Sequence, residues 1–128
     1  MKLVRAYQEE GVTIPDPYRR TIKILLAPDR EDVPEIMLSH VTIYPGSHTD
    51  YHDHDRPELI YVVSGTGISK CEGEEVEVGP DTAMWVPAGE KHEVRNTGDE
   101  PVSLVTVFVP GYTAESGYQA CLDRAKQG

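Results

Sequence analysis

Turn-forming residues cut this chain into short apolar runs, and that punctuation limits its fold more than any other feature. Pro45-Gly46, Gly65-Thr66-Gly67, Gly73, Gly79-Pro80-Asp81, Pro87-Ala88-Gly89 and Asn96-Thr97-Gly98-Asp99 follow one another at intervals of roughly eight to twelve residues over much of the sequence. The runs between them are too short for stable helices and rich in β-branched residues, so each reads as a strand. The predicted strands are Thr21 to Leu26, Ile36 to Tyr44, Leu59 to Ser64, Ile68 to Cys71, Glu75 to Val78, Ala83 to Val86, Glu93 to Arg95 and Val102 to Val109. In the hairpin around Gly73, Val76 and Val78 alternate with Glu75 and Glu77, the pattern of a half-exposed sheet. Many short strands with almost no helical periodicity predict an all-β sandwich or barrel.

At 128 residues the chain is long enough for one domain. Lys2 to Ala6 reads as a short edge strand or one exchanged with a partner, and Gln8 to Arg20, broken by Gly11, Pro15 and Pro17, as an extended arm. The expected division is an arm over 1–20, a barrel over 21–112 and a tail or short helix over 113–128. Only Glu115 to Lys126 has helical character, with Ser116 as a candidate cap. Pro28 to Pro34, holding Asp29, Arg30, Glu31 and Asp32, reads as a solvated loop.

The chemistry-bearing stretch is Gly46 to Glu58. In an extended segment His52 and His54 point the same way, about 6.6 Å apart at ~3.3 Å per residue. One cation fits between them. Pro57 interrupts pairing, so the chain can turn and return Glu58 towards the same centre. A fourth ligand must come from elsewhere, and His92, in the run Pro87 to Asn96, is the distant histidine in a comparable setting.

These residues carry a resemblance. Gly46, His52-x-His54, Glu58 and Gly65 are similar to the first conserved motif of the cupin superfamily. Pro87-x-Gly89-x-x-His92-x-x-x-Asn96, with Gly79 upstream, resembles the second, although the turn after Gly79 is longer than in the family pattern. The resemblance implies a double-stranded β-helix, a small jelly-roll barrel, with a metal held inside by His52, His54, Glu58 and His92. It also implies a homodimer, often with an N-terminal strand exchanged between subunits. The cupin dioxygenases of thiols and diketones lack the motif glutamate, so Glu58 points away from them. Ile60 stands where the small dimethylsulfoniopropionate lyases have a tyrosine.

Three imidazoles and one carboxylate, without sulfur, suit one divalent transition metal: Mn, Fe, Co, Ni or Zn. Four protein ligands on a six-coordinate ion leave two adjacent positions, which predicts an open site for Lewis-acid or oxygen chemistry rather than a closed structural one. Strand parity places Asp50 and His48 on the inward face with His52, making them the candidates for proton transfer. Tyr44 and Arg56 are candidates for orienting a substrate carboxylate, Arg56 being equally able to pair with Asp53 or Asp55. His40, mid-strand, reads as a hydrogen-bonded structural residue. Ile60, Val62 and Val94 are expected to face the interior with one residue each of Met84/Trp85 and Thr106/Val107. The pocket is therefore expected to be largely apolar with a few polar groups.

A net charge of −10, with 12 scattered basic residues, argues against nucleic acid and anionic membranes as partners. No long apolar run or secretion signal is visible, so the cytoplasm is the expected location. Cys71 and Cys121, without CxxC neighbours, read as reduced thiols. The expected function is a metal-dependent enzyme acting on a small oxygen-rich metabolite, by isomerase, lyase or dioxygenase-type chemistry. The alternative is a cupin that binds a sugar or acid without converting it.

Overall fold

The computed structural model describes residues 1–127, and in it the short β-branched runs pair into antiparallel strands. They are β1 (Val12–Ile14), β2 (Arg20–Leu26), β3 (Met37–Ile43), β4 (Glu58–Ser64), β5 (Gly67–Cys71), β6 (Glu74–Val78), β7 (Thr82–Val86), β8 (His92–Asn96) and β9 (Val102–Phe108). A six-stranded sheet runs β1-β2-β3-β9-β4-β7, and a three-stranded sheet runs β6-β5-β8. Isolated bridges His48↔Arg95 and His52↔His92 lay the segment before β4 along the free side of β8. The result is the expected small jelly-roll barrel.

Alternation explains why it closes. In β3 and β9 every second residue is buried, so Met37, Ser39, Val41 and Ile43 lie beside Phe108, Thr106, Leu104 and Val102 on the same inner face of the sheet. Ile14, Ile24, Ile43, Val62 and Val102 are almost fully buried, each contributing about 1.5–3 kcal/mol against exposure. Two turns needed for the site are set by glycine. In Tyr44-Pro45-Gly46-Ser47 and Pro87-Ala88-Gly89-Glu90, glycine sits third with φ of 78° and 83°, proline standing second in the former and first in the latter, and the fourth amide donates to the first carbonyl at 3.0 and 3.3 Å. That is the type II geometry glycine permits.

Several expectations need correction. Lys2 to Ala6 makes no strand. Instead Ala6–Gln8 is a single 3-10 turn, and the edge strand is β1, inside the expected arm, where Val12 and Ile14 supply the β-branched residues that pair with Ile22 and Arg20. The stretch around His48 to His54 forms isolated bridges rather than a regular strand. Val76 is 59% exposed, so of the two valines in that hairpin only Val78 is buried.

The C-terminal helix α1 spans Ala114–Gln127, one residue longer at each end than predicted. Its cap is not Ser116. Thr113 Oγ1 accepts from the Ser116 amide at 3.1 Å, and Asp29 accepts from the amides of Ala114 and Glu115 at 2.5 and 3.1 Å. The loop read as merely solvated therefore fixes the helix start. Partial burial opposes ionisation of Asp29, but the two helix N–H groups hold its carboxyl below the ordinary value. Among the described residues no helix is long and apolar enough to cross a membrane.

Candidate metal centre

His52, His54, Glu58 and His92 converge on one point inside the barrel. His52 Nε2 lies 2.8 Å from His54 Nε2, His92 Nε2 lies 2.9 Å from Glu58 Oε1, and His54 Nε2 lies 3.9 Å from Glu58 Oε1. One ligand atom from each of the three histidines falls within 4.8 Å of the others. Two donors at right angles on a first-row metal, with bonds of ~2.1 Å, sit roughly 3.0 Å apart. The spacing and the donor chemistry both fit a divalent transition metal.

Local structure sets the orientation of each ring. His92 opens β8, delivered by the Gly89 turn, whose amide donates to His54 O at 2.7 Å. His92 Nδ1 faces Glu90 O at 2.9 Å and His52 Nδ1 faces Asp50 O at 2.6 Å. A carbonyl only accepts, so each Nδ1 carries a proton and each Nε2 is turned to the centre, able to give a lone pair wherever it carries no proton of its own. Burial, then the neighbouring positive charge of Arg124, pushes His52 down to about 4. Burial and the other two imidazoles push His54 down to about 2. Both rings are therefore neutral near pH 7, as metal ligation requires. For His92 burial acts in the opposite direction to the net shift, which the hydrogen bond and charge of Glu58 raise above the ordinary value.

Above this point is a cavity of about 330 Å³, within the range of small-molecule sites. Ile22, Ile24, Met37, Val41, Ile60, Val94, Leu104 and Phe108 give it apolar walls, and Ser39, Thr49 and Thr106 add hydroxyls. Of the residues paired by parity, Thr106 faces in and Val107 does not, while Trp85, 58% exposed, faces out and Met84 packs against the core.

His48 and Asp50 do not stand where parity predicted. Between the bridges His48↔Arg95 and His52↔His92 the chain advances four residues while β8 advances three. That extra residue is a bulge, and it inverts the alternation. Thr49 lines the cavity; His48 does not. His48 packs edge-on against Tyr18 at 5.2 Å, donates from Nδ1 to Thr49 O at 2.7 Å, and lies 3.7 Å from Glu93. Asp50 is buried behind His52, its Oδ2 3.4 Å from His52 Nδ1. Its carboxylate accepts from Arg20 Nη2 at 3.1 Å and Arg124 Nε at 2.5 Å. Burial opposes ionisation of Asp50, and the charges of His52, Arg124 and Arg20 overcome it, so its pKa is lowered. The Asp50 carbonyl thus meets the His52 ring while its carboxylate is shared by the two guanidinium groups.

Tyr44 and Arg56 also lie off the cavity. Tyr44 shares a 2.7 Å hydrogen bond with Thr21, and Arg56 stacks over the Tyr112 ring at 4.0 Å while donating to Gly111 O at 2.6 Å. Arg56 Nε is 3.8 Å from Asp55. His40 is not hydrogen-bonded as expected: its Nδ1 is buried with no partner among the described residues. Its cross-strand neighbour is Lys23, which can only donate, and burial followed by the Lys23 charge pushes its pKa down.

The cavity residues that sequence reasoning missed belong mostly to the C-terminal segment: Tyr112, Ser116, Gly117, Ala120, Cys121 and Arg124. Gly117 lets α1 sit low over the barrel, since a Cβ there would meet Ile24 and Met37 at 3.2 and 3.3 Å. Burial, then its hydrogen bond to Asp55, pushes the Tyr112 hydroxyl up to about 12. Small residues at a spacing of three or four along α1 were the available signal.

Comparison with known proteins agrees with this geometry. The chain is 28% identical over 89 residues to the tetracenomycin polyketide synthase protein TcmJ of Streptomyces glaucescens, a match covering 69% of this chain and 60% of that protein. It is 24% identical over 74 residues to the oxalate-binding protein of Thermotoga maritima, covering 57% and 61% respectively. The chain thus spans about three-fifths of the length of each. The crystal structure of a predicted oxalate decarboxylase from Thermotoga maritima superposes with a TM-score of 0.77 at 20% identity, over 85% of this chain and 99% of that one. The Cupin domain model matches residues 39–108, more than half of the sequence, and the chain belongs to the cupin family.

Proposed function

We propose that this cupin holds one divalent transition metal through His52, His54, Glu58 and His92 and acts as an enzyme on a small oxygen-rich metabolite in the cavity above them. The observation that carries this reading is the convergence of the donor atoms, with the Nε2 atoms aimed inward, at the floor of a largely apolar cavity. A metal there supplies a Lewis acid with two positions left for oxygen ligands, consistent with isomerase, lyase or dioxygenase-type chemistry. The protein's own part is positional. Asp50 and Glu90 fix the rings of His52 and His92, the aliphatic walls exclude water, and the Tyr112 hydroxyl keeps its proton at the mouth. Asp50 acts here as a positioning residue.

The test is elemental analysis of protein purified without added metal, beside His92→Ala. About one metal per chain in the parent and none in the variant supports the reading, and the element found directs the choice of substrates to screen. A parent that neither carries metal nor takes it up on reconstitution overturns it.

A second reading, capture of an acid without conversion, is favoured by the name of the oxalate-binding relative. Saturable binding of a small acid at the metal with no product after long incubation would select it. For assembly we infer a homodimer, supported by Tyr61, Val63 and Trp85 exposed on one face of the six-stranded sheet and by Leu3 and Tyr7 exposed in the N-terminal arm. Sedimentation at several concentrations tests this.

A further inference from the structure

The part of the cavity beside Asp50 carries a local charge of the opposite sign to the chain around it. Against a net charge of −10, two arginines, Arg20 and Arg124, line the cavity and share a single buried carboxylate, Asp50. Two cations on one anion leave one positive charge over. Glu58 belongs to the donor cluster, 2.9 Å from His92 Nε2, where it would face the metal. The remaining carboxylates in the lining, Asp53 and Asp55, are exposed at the rim, where Asp55 takes the Tyr112 hydroxyl.

The two arginines differ in what they have left to give. Arg20, its side chain 4% exposed, donates from Nη1 to Tyr18 O and from Nη2 to Asp50. Arg124, 24% exposed, donates from Nε to Asp50 and from Nη2 to Cys121 Sγ at 3.4 Å, a weak acceptor. Its Nη1 donates to none of the described residues. The cavity walls are largely aliphatic, and low polarity strengthens any ion pair formed there.

We propose that the cavity selects small acids bearing two carboxylates, one end held at the His52-His54-Glu58-His92 centre and the far carboxylate held by Arg124 from helix α1. A guanidinium with free N–H groups suits that role because its planar fork matches a carboxylate in geometry and charge. Asp50 and Arg20 keep the fork in place without consuming it. The inference rests on the metal-centre reading above and adds the class of ligand.

Lactate and malate separate the two. Both offer the same hydroxy-acid end to a metal, and malate adds one carboxylate. Calorimetric titration of metal-loaded parent protein is expected to show malate binding about 10-fold or more tighter than lactate, the worth of one charge-assisted hydrogen-bonded pair. Arg124→Gln should bring malate to within about twofold of lactate, and Arg124→Lys should restore part of the difference. Equal affinities in the parent overturn the proposal, as does an Arg124→Gln variant that weakens both acids alike, the result of a merely structural arginine. If Arg124→Gln fails to fold, the comparison is decided by the parent and Arg124→Lys. A parent that takes up no metal overturns the underlying reading as well, whereas metal uptake with equal affinities overturns this inference alone.

Discussion

In the donor cluster His52, His54 and Glu58 come from seven consecutive residues, whereas on the far side of the His52 ring the 2.5 Å pair between Asp50 and Arg124 joins positions 74 residues apart. The first cluster is held by short-range geometry: alternate residues of an extended segment, a proline and a glycine turn. The second exists only because α1 lies across the barrel mouth. Asp50 connects them, with its carbonyl on His52 and its carboxylate on Arg20 and Arg124. The cavity's chemistry thus divides into a part that local sequence dictates and a part that only the closed fold assembles.

The change expected to break both groups together is Asp50→Ala. It leaves Arg20 buried without its counter-charge, which costs about 3–5 kcal/mol, and removes the carboxylate 3.4 Å from His52 Nδ1 while keeping the carbonyl that orients the ring. Chemical denaturation should show the loss, with metal content reduced in whatever protein folds. A cost below about 1 kcal/mol would mean that both guanidinium groups find water, and the link between the two groups would be severed.

His92→Ala should break only the first group. Loss of a partner that merely supports a ligand costs about 10–100-fold in metal affinity, and loss of a ligand should cost more. In the parent, metal removal by a chelator should lower the melting temperature, by an amount equivalent to about 4 kcal/mol where free metal had stood at 1,000 times its Kd. In His92→Ala the chelator should change nothing, and Asp50, Arg20 and Arg124 should still hold α1.

The sequence was legible where structure is local. The eight predicted strands became β2 to β9 with ends shifted by a residue or two, because alternation and glycine turns are written within about ten residues of the chain. That His52, His54, Glu58 and His92 come together was expected by the same logic, together with the resemblance. What escaped was non-local. Nothing near Asp29 shows that its carboxylate caps a helix 85 residues on, and nothing near Arg124 shows that it reaches Asp50. His48 failed differently: parity assumed an unbroken ladder, and the bulge between the two bridges inverted it. A single extra residue opposite β8 was enough to exchange Thr49 for His48 in the cavity.

Asp29→Ala probes the second group without touching the first. Removing a helix cap costs about 1 kcal/mol, so the melting temperature should fall modestly while metal content stays that of the parent. The sign of its pH dependence follows from the depressed carboxyl: the cap's contribution is complete above the unfolded-state value near 3.9 and is lost as pH falls through the lower folded value. The gap between parent and variant should therefore be constant from pH 7 to about 5 and narrow in more acid solution. A gap that widens with acid would assign Asp29 some role other than capping.

The smallest effect expected is that of His48→Ala, and its smallness is informative. The ring is half-buried against Tyr18, and its Nδ1–H bond is to the adjacent Thr49 carbonyl, so truncation should cost no more than about 0.5–1 kcal/mol. Metal content, malate affinity and any turnover should match the parent. Were His48→Ala to abolish turnover while leaving metal and malate binding intact, the ring would have to reach the cavity, and the bulge could not persist in the working protein. Unchanged turnover, with Asp50→Ala severely impaired, would show that one inserted residue divides this stretch. On one side of it a side chain serves the surface, and on the other Thr49, Asp50 and His52 serve the cavity.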